Sequence, residues 1–355
     1  MPTRPHAVAD PAHAFKLHVQ ELGDLEVARI VAGRMGKAIG RNLMMNNHEK
    51  SDKPVVPANH WNKAPLGATD SGEERGLTKG NSNQQNAGRT QSRGPALSAL
   101  DRVRHVARRD RKAKFTALLH HVSVDRLRDC YFRLNRKAAS GVDYVIWEDY
   151  CQDLEPRLQD LHDRINRGAY RAKPSRRIYI AKPDGRLRPI AIAALEDKLL
   201  QSAVGEVMNM IYEEDFLGFS YGFRPYRHQR QALDALAYGI TKKKVNWILD
   251  ADIRGFFDQI DRNWMLEFVK YRISDKRILR LIQKWLNAGV LENGRKTKGE
   301  LGTPQGSSIS PLLANIYLHY VFDLWAHQWR KKQGHGDITI VRYADDCVPG
   351  NVYLR

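Results

Sequence analysis

Two short apolar, β-prone runs in this chain each end on aspartates, and this repeated pattern limits the folds that the chain can adopt. The first is "NWILDADIRGFFDQID", in which Asp252 follows the apolar run. The second is "ITIVRYADDC", residues 338–347, which places Asp345 and Asp346 side by side. Clustered carboxylates repel one another unless a cation lies among them. The pattern favours two neighbouring strands whose ends converge on one acidic site.

Such a site has a specific chemistry. Carboxylate oxygens are hard ligands that favour Mg²⁺, with Mn²⁺ as an alternative. If Asp252, Asp345 and Asp346 meet, two such ions about 3.5–4 Å apart could activate an attacking hydroxyl and stabilise a leaving pyrophosphate. This is the chemistry of nucleotidyl transfer. The alternative is a pair of structural turns, because Asp at a strand end often bonds its own backbone.

The charge balance points to a polyanionic partner. Lys and Arg outnumber Asp and Glu by 58 to 40, which gives a net charge of +18. Basic surfaces gain affinity for nucleic acid by releasing condensed counterions. Residues 101–137 carry a net charge of +8, with twelve basic and four acidic side chains. Phe115, Tyr131 and Phe132 lie among them and favour a nucleic-acid surface, and the alternative is a solvated helix face.

Composition divides the chain into two parts. The stretch "KGNSNQQNAGRTQSRG", residues 79–94, is polar and of low complexity, and cannot bury enough apolar surface to offset its chain entropy. We predict a largely disordered extension over residues 1–95 and one globular domain over residues 96–355. The three cysteines form no CxxC pair, and no apolar run is long enough to span a membrane. These features predict a cytoplasmic protein without a membrane partner.

Turn and cap residues divide the globular part into elements. The stretch "RRIYIAKPDGRLRPIAIAAL" predicts a β-hairpin, because Pro, Asp and Gly follow one another between two β-prone runs. Apolar spacing predicts a helix over residues 195–212. The stretch "GELGTPQGSSISPLLANIYL" predicts a Gly-rich loop and then a helix, with Ser310 as the N-cap and Pro311 as the first helical residue.

Several motifs together resemble one family. The stretches "DADIRGFFDQID", "GTPQGSSISPLLANIYL" and "RYADD" occur in this order and resemble the successive palm motifs of reverse transcriptases. Upstream, "RKAASGVDYVIWEDY", "RRIYIAKPDGRLRPIAI" and "DFLGFSYGFRP" are similar to group II intron-encoded reverse transcriptases of the maturase type. The resemblance covers residues 96–346. It implies an α+β fold: a right-hand polymerase palm, whose antiparallel sheet is backed by helices, with a fingers subdomain.

The resemblance also implies roles for the acidic and basic site residues. Asp252, Asp345 and Asp346 match the family's catalytic triad, which would hold two Mg²⁺ ions. Lys182 and Arg188 match fingers residues that contact the incoming triphosphate. Cations suit that role because they neutralise developing phosphate charge.

The implied substrate contacts complete this site. Phe257 matches an aromatic residue that discriminates deoxynucleotides from ribonucleotides, because a bulky ring beneath the 2′ position excludes a hydroxyl. The alternative for Phe257 is core packing beside Phe256. Gln305 and Gly306 match a loop that touches the template and the incoming nucleotide, where Gly permits close backbone approach. The implied partners are an RNA template (group II intron RNA), a DNA primer and deoxynucleoside triphosphates.

The family pattern breaks after Asp346. An apolar strand is expected there, but the chain reads "CVPGNVYLR". Pro349 has no N–H to give to a ladder, so we expect the hairpin partner of residues 338–343 to be damaged. From this break we predict a truncated reverse transcriptase in which the thumb is missing.

Three functions compete on these residues. The first is an RNA-directed DNA polymerase with a role in intron splicing and mobility. The second is a catalytically dead fragment that acts at most as an intron-RNA-binding protein. The third is an RNA-templated RNA polymerase, which Phe257 disfavours because a small residue would better admit a ribose.

Overall fold

A computed structural model describes residues 94–181, 185–242, 245, 247–253, 255–297, 302–303, 305–332 and 337–351, with side chains from residue 99 onwards. Residues 1–93 of the predicted extension lie outside this described part, so its disorder and the domain boundary stay predictions. Among the helices of the described ranges, none combines the length and apolarity needed to cross a membrane.

Helices make up most of the described chain. They are α1 (Gly94–Arg109), α2 (Val124–Arg133), α3 (Trp147–Cys151), α4 (Leu154–Asn166), α5 (Leu195–Asp215), α6 (Gln229–Lys242), α7 (Phe256–Gln259), α8 (Arg262–Lys270), α9 (Lys276–Asn287), α10 (Ser310–Leu318) and α11 (Leu324–Lys332). A short 3₁₀ turn, Leu119–His121, precedes α2, and a π-helical turn, His319–Asp323, joins α10 to α11. Side chains that accept backbone N–H groups cap the N-termini of several of them: Ser123 caps α2, Asp261 caps α8 and Asp275 caps α9.

The start of α10 differs from the sequence prediction by one residue. Ile309 is the N-cap and makes no side-chain cap hydrogen bond, whereas Ser310 is already helical and buried. The prediction of Ser310 as the N-cap is therefore wrong. Pro311 lies in the first turn, where its missing N–H costs nothing.

Helix α5 is the centre of the main core. Its buried side chains occur on every face of the helix, which is the pattern of a fully enclosed helix. It contacts α1, α2 and α10. The predicted helix over residues 195–212 is confirmed and extends to Asp215. Because α5 is enclosed, it serves as a rigid base for the loops and strands around it.

The first sheet has the order β2-β1-β5-β6. Its strands are β1 (Ser175–Ala181), β2 (Leu187–Ile192), β5 (Val290–Glu292) and β6 (Arg295–Thr297). Strands β1 and β2 pair antiparallel from Arg176↔Ile192 to Ala181↔Leu187, which confirms the predicted hairpin. The short strand β5 joins β1 in parallel.

The second sheet is built around β8 (Asp346–Asn351). Strand β7 (Ile338–Tyr343) pairs antiparallel with one edge of β8. The two short strands β3 (Trp247–Ile248) and β4 (Ala251–Asp252) pair in succession with the other edge. A small core of its own lies between this sheet and α11 and includes Ala326, Ile338 and Ile340.

The presence of β8 overturns the expected damage around Pro349. Residues of an antiparallel pair alternate between hydrogen-bonded and non-hydrogen-bonded positions. Counting from the two-residue turn, Pro349 and Ile340 form a non-hydrogen-bonded pair, so the proline nitrogen points away from β7. On the other edge, the Pro349 carbonyl accepts the Leu249 N–H at 2.9 Å, at the break between β3 and β4. The proline therefore removes at most one ladder bond, at an already irregular point.

These elements give the expected fold class. The chain is α+β, with an antiparallel palm sheet backed by α6 and α11 and a fingers sheet formed by the β1–β2 hairpin and its neighbours. Helix α6 reaches the palm sheet closely at Gly239, where a Cβ atom would lie 3.0 Å from the Thr339 side chain.

Candidate active site

The turn between β7 and β8 carries the paired aspartates. Only Ala344 and Asp345 separate the two strands, and Asp346 is the first residue of β8. Ala344 takes a positive φ of 58°, as the first central residue of some two-residue hairpin turns does. On the neighbouring strand, Asp252 lies directly opposite Asp346 in the register, where antiparallel Cβ atoms are about 4.5–5.5 Å apart. The structure therefore brings the three predicted aspartates to one edge of the palm sheet.

The aspartates act on one another electrostatically. Burial and then the charges of Asp345, Asp252 and Asp250 raise the pKa of Asp346 to about 6. Burial and the charge of Asp252 also raise the pKa of Asp345. Neighbouring negative charges disfavour the ionised form of a carboxyl, and a bound cation reverses that effect.

The donor chemistry of the aspartates bears on whether they could hold a metal ion. Among the residues that the structure describes, no three His, Cys, Asp or Glu side chains form a complete metal cluster. Asp252, Asp345 and Asp346 are nevertheless adjacent in the backbone register, and their donors are all carboxylate oxygens. The pKa values of Asp345 and Asp346 are raised by burial and also by the negative charges of their aspartate neighbours. The donor set therefore fits a hard divalent cation such as Mg²⁺ or Mn²⁺.

A cation from the fingers sheet faces this acidic edge. Arg188 lies on β2, opposite Ile180 of β1. Its positive charge opposes the rise in the pKa of Asp345, so the guanidinium and the carboxyl are close enough to interact across the two sheets. Lys182 falls in the hairpin turn outside the described residues, and its predicted role stays a prediction. The described part of the β1–β2 hairpin thus places at least one cation within electrostatic range of Asp345.

The loop that contains Gln305 and Gly306 packs on the same fingers strand. The Ala191 N–H donates to the Gln305 carbonyl oxygen at 2.6 Å. Gly306 has a φ of 110°, and a Cβ atom there would lie 2.8 Å from the Ala191 carbonyl oxygen. Glycine is required at this position for both reasons. The loop therefore lies beside the strand of Arg188.

Phe257 lies on the short helix α7, a few residues after Asp252. Its partly buried ring makes edge contacts with Phe256, at 5.4 Å between centroids, and with Phe223, at 6.4 Å. Its carbonyl oxygen accepts the Thr303 N–H at 2.8 Å. The packing beside Phe256 that the sequence left open is present. Phe223 joins Phe257 to the β7–β8 hairpin, because the preceding residue, Gly222, packs against the backbone of Ala344.

Two buried polar residues near the site were not singled out from the sequence. Gln201 on α5 accepts the Ser307 hydroxyl at 2.7 Å and the Ser308 N–H at 3.0 Å, and so fixes the loop of Gln305. Arg342 on β7 is almost completely buried beside the hairpin turn. The available signal was a single polar residue inside an apolar run, as in "ITIVRY". Such a residue needs internal hydrogen-bond partners.

The basic stretch over residues 101–137 is partly neutralised by the fold. Arg104 pairs with Glu214, Arg126 and Arg133 pair with Glu206, and Arg128 pairs with Asp125 and Glu155. Among its aromatic residues, Tyr131 is fully buried and stacks on Trp147, whereas Phe132 is 55% exposed. The interleaved aromatics therefore reflect core packing as much as a surface for nucleic acid.

Comparison with known proteins agrees with this geometry. Residues 180–350 match the family model described as reverse transcriptase (RNA-dependent DNA polymerase). Protein YkfC of Escherichia coli (strain K12) is 38% identical over 231 residues, which are 61% of this chain and 60% of that protein. Group II intron-encoded protein LtrA of Lactococcus lactis subsp. cremoris is 33% identical over 227 residues, 63% of this chain and 38% of that protein.

The match to these relatives is partial in length. The chain spans less than two thirds of YkfC and of LtrA. A solved structure titled "Partial Cas6-RT-Cas1--Cas2 complex" matches with a TM-score of 0.41 at 21% identity, over 65% of this chain and 37% of that chain.

Proposed function

From the match of residues 180–350 to the reverse transcriptase family model, and from the similarity to a group II intron-encoded protein, we propose that the chain is an RNA-directed DNA polymerase. In the proposed reaction a primer 3′-hydroxyl attacks the α-phosphate of a deoxynucleoside triphosphate, and pyrophosphate leaves. The observation that carries the proposal is the strand register. It sets Asp252 opposite Asp346 and beside Asp345, with the charge of Arg188 close by.

The roles of the polar residues follow from that arrangement. Asp252, Asp345 and Asp346 would hold the two Mg²⁺ ions, which supply Lewis acidity to the attacking hydroxyl and to the leaving pyrophosphate. Arg188 binds the triphosphate and offsets the negative charge that develops during transfer. Lys182 is assigned the same role by resemblance alone. The three carboxylates and the fingers cations are thus divided between metal binding and phosphate binding.

Sugar and template selection rest on the neighbouring loops. Phe256 and Phe223 hold the Phe257 ring in one orientation by edge contacts, so the ring can exclude a 2′-hydroxyl. The loop of Gln305 and Gly306 lies beside the Arg188 strand, where it would contact the template and the incoming nucleotide. This selection favours a DNA product over an RNA product.

The proposed macromolecular partners are an RNA template, in particular a group II intron RNA, and a DNA primer. The net charge of +18 supports a nucleic-acid partner. The names of the relatives, a group II intron-encoded protein and a nuclear intron maturase of Arabidopsis thaliana, support intron RNA in particular.

A second candidate function is intron-RNA binding without catalysis. It is favoured by the same net charge. The two functions differ in what Asp345 and Asp346 do. In a polymerase they are essential for incorporation, whereas in a binding protein their removal leaves RNA affinity unchanged or slightly increased.

Primer extension separates the two candidates. The full chain is given an RNA template, a DNA primer, deoxynucleotides and Mg²⁺, beside Asp345→Ala/Asp346→Ala and a matched control, Asp234→Ala. Asp234 is exposed on α6 and has no ion pair or hydrogen bond within the described ranges. We expect incorporation by the wild type and the control, and none by the double variant. Retained RNA binding with no incorporation by the wild type would reject the polymerase and support the second candidate.

A further inference from the structure

A buried arginine lies next to the turn that carries the paired aspartates. The Arg342 side chain is 1% exposed, and its partner Asp323 is fully buried. Two parallel hydrogen bonds of 2.7 Å join the guanidinium to the Asp323 carboxylate. The remaining donors bind the Ala344 carbonyl oxygen at 2.8 Å, Ser220 Oγ at 2.6 Å and Asn315 Oδ1 at 3.1 Å. Every N–H of the guanidinium therefore has an acceptor.

These acceptors come from several parts of the chain. Asp323 lies in the π-helical turn after α10, Asn315 on α10, and Ser220 in the loop after α5. The same loop follows β7 through its backbone: the Arg342 N–H donates to Phe219 O at 2.8 Å. We call Arg342, Asp323, Asn315 and Ser220 the arginine clamp. It ties the helical core to the β7–β8 hairpin, which carries the paired aspartates and which we call the catalytic hairpin.

A second contact of the same loop presses on the turn itself. The Asn315 side-chain amide donates to the Gly222 carbonyl oxygen at 2.7 Å. A Cβ atom on Gly222 would lie only 2.3 Å from the Ala344 nitrogen. The loop backbone is therefore in direct contact with the peptide that begins the turn.

The turn needs such support because its conformation is unfavourable. Ala344 has a φ of 58°, which costs a non-glycine residue roughly 1–2 kcal/mol. Asp345 and Asp346 then place two like charges in succession. The bond from Arg342 to the Ala344 carbonyl fixes the peptide plane that leads into Asp345. A small rotation of that plane would redirect both carboxylates.

Stability alone is a weak reason for a buried ion pair. Replacing such a pair by apolar residues of similar volume is often neutral or stabilising, because burial of two charges is costly. An arginine with five satisfied donors instead specifies one geometry among several of similar energy. The acceptor that distinguishes this pair from an ordinary buried ion pair is the carbonyl of the turn.

We propose that Arg342, held by Asp323 and Asn315, is a positioning residue that fixes the Ala344–Asp345 peptide so that Asp345 and Asp346 face Asp252. This inference rests on the proposed function, because it assigns the aspartates to metal binding and nucleotidyl transfer. Arg342 acts through the turn and touches neither substrate nor metal. It therefore sets metal affinity and kcat and leaves the binding of the primer–template duplex unchanged.

The test compares two double variants of the full chain. Arg342→Met/Asp323→Leu removes the clamp and keeps its volume apolar. The matched control, Arg272→Met/Asp215→Leu, removes another buried Arg–Asp pair, which is 3.2 Å apart; the hydrogen bonds of Arg272 within the described ranges go to the backbone of Ala107 and Asp110 and not to the β7–β8 hairpin. Both variants are measured for thermal unfolding, duplex affinity, Mn²⁺ affinity, kcat, and amide hydrogen exchange of residues 343–347.

The clamp variant is expected to unfold within a few degrees of the wild type and to bind the duplex with unchanged affinity. Its Mn²⁺ affinity should fall about 10-fold or more, which is typical when a residue that orients metal ligands is lost. Its kcat should fall about 100-fold, because a small displacement of the aspartates misplaces the reacting groups. Exchange at residues 343–347 should accelerate in this variant alone. A folded clamp variant with wild-type exchange, Mn²⁺ affinity and kcat would overturn the proposal.

A conservative variant separates the turn from the charge pair. Arg342→Lys keeps a cation beside Asp323, but one amine cannot also reach the Ala344 carbonyl in the same geometry. It is expected to show the same fall in kcat and the same faster exchange, and full activity would overturn the proposal. If the wild type itself incorporates no nucleotide, the proposed function fails. The exchange measurement then still decides whether Arg342 fixes the turn.

Discussion

Burial of the Asp346 carboxylate, together with repulsion from the neighbouring aspartates, should make the metal-free protein less stable, and Asp346→Asn should relieve both effects. Asp346 has a pKa of about 6 in the folded chain, against an ordinary value of 3.8. Each unit of difference corresponds to about 1.4 kcal/mol, so the ionised form costs the folded state roughly 3 kcal/mol before screening. Because the residue is exposed, solvent should reduce this at least by half, to about 1.5 kcal/mol.

The sign of the pH dependence follows from the raised pKa. The folded state binds the Asp346 proton more tightly than the unfolded state, so the penalty is small below the ordinary pKa and complete above pH 6. In the absence of metal, the Asn variant should therefore exceed the wild type in stability by about 1.5 kcal/mol at pH 7.5, and by about half of that at pH 5. For a domain of this size the larger value corresponds to about 3–6 °C in Tm.

Thermal unfolding in EDTA at the two pH values measures this difference. Added Mg²⁺ should raise the Tm of the wild type, because a ligand that binds only the folded state stabilises it, and should raise that of the variant less. Primer extension by the variant should be lost at the same time. The control is Asp234→Asn, which removes an exposed charge that is not among the causes of the raised pKa of Asp346. The reasoning would be refuted if the variant were no more stable than the wild type at pH 7.5, or if its gain in stability at pH 5 were as large as its gain at pH 7.5.

Three further predictions concern other residues. Phe257→Val should raise ribonucleotide incorporation relative to deoxynucleotide incorporation by about 10-fold or more, in single-nucleotide extension, because the smaller isopropyl group of valine no longer excludes a 2′-hydroxyl; an unchanged ratio would contradict its role. Gly222→Ala should lower the free energy of unfolding in urea by about 1–3 kcal/mol, because its Cβ meets the Ala344 backbone, and unchanged stability would contradict the contact. The free energy of unfolding of Asp197→Asn, relative to that of the wild type, should increase by about 1.5 kcal/mol between pH 5 and pH 8. Burial raises the pKa of Asp197 to about 6, so ionisation of the wild-type carboxyl destabilises the folded state more as the pH rises. A difference in unfolding free energy that does not change with pH would argue against this.

The elements that the sequence predicted well are those with a local signal. The β1–β2 hairpin was predicted from its turn residues, and α5 from its apolar spacing. The convergence of Asp252 with Asp345 and Asp346 was also predicted, because both runs end on carboxylates that need a common cation. A few neighbouring residues were sufficient to specify the hairpin and the helix, whereas the convergence followed from the need of two distant acidic runs for one cation.

The errors arose where the outcome depended on distant partners. Pro349 was expected to damage its strand, but the consequence of a missing N–H depends on which edge of the strand it faces. The register with β7 and the break between β3 and β4 decide that, and neither is visible in "CVPGN". Tyr131 was read as part of a nucleic-acid surface, whereas its ring is buried against Trp147. Arg342 was overlooked for the same reason, since its acceptors lie up to 122 residues away.

The catalytic hairpin concentrates features that are each unfavourable by local rules. Ala344 has a positive φ, Asp345 and Asp346 repel one another and Asp252, and Pro349 has no N–H to give to the sheet. Conflicts of this kind are expected where function rather than stability has selected the residues. A hairpin with these costs would relax by rotating its turn if it were alone. The arginine clamp and the Gly222 contact oppose that rotation from the buried side of the hairpin, whereas Asp252 and Asp346 are exposed and Asp345 is half-buried. The order of the site therefore depends on the helical core behind it.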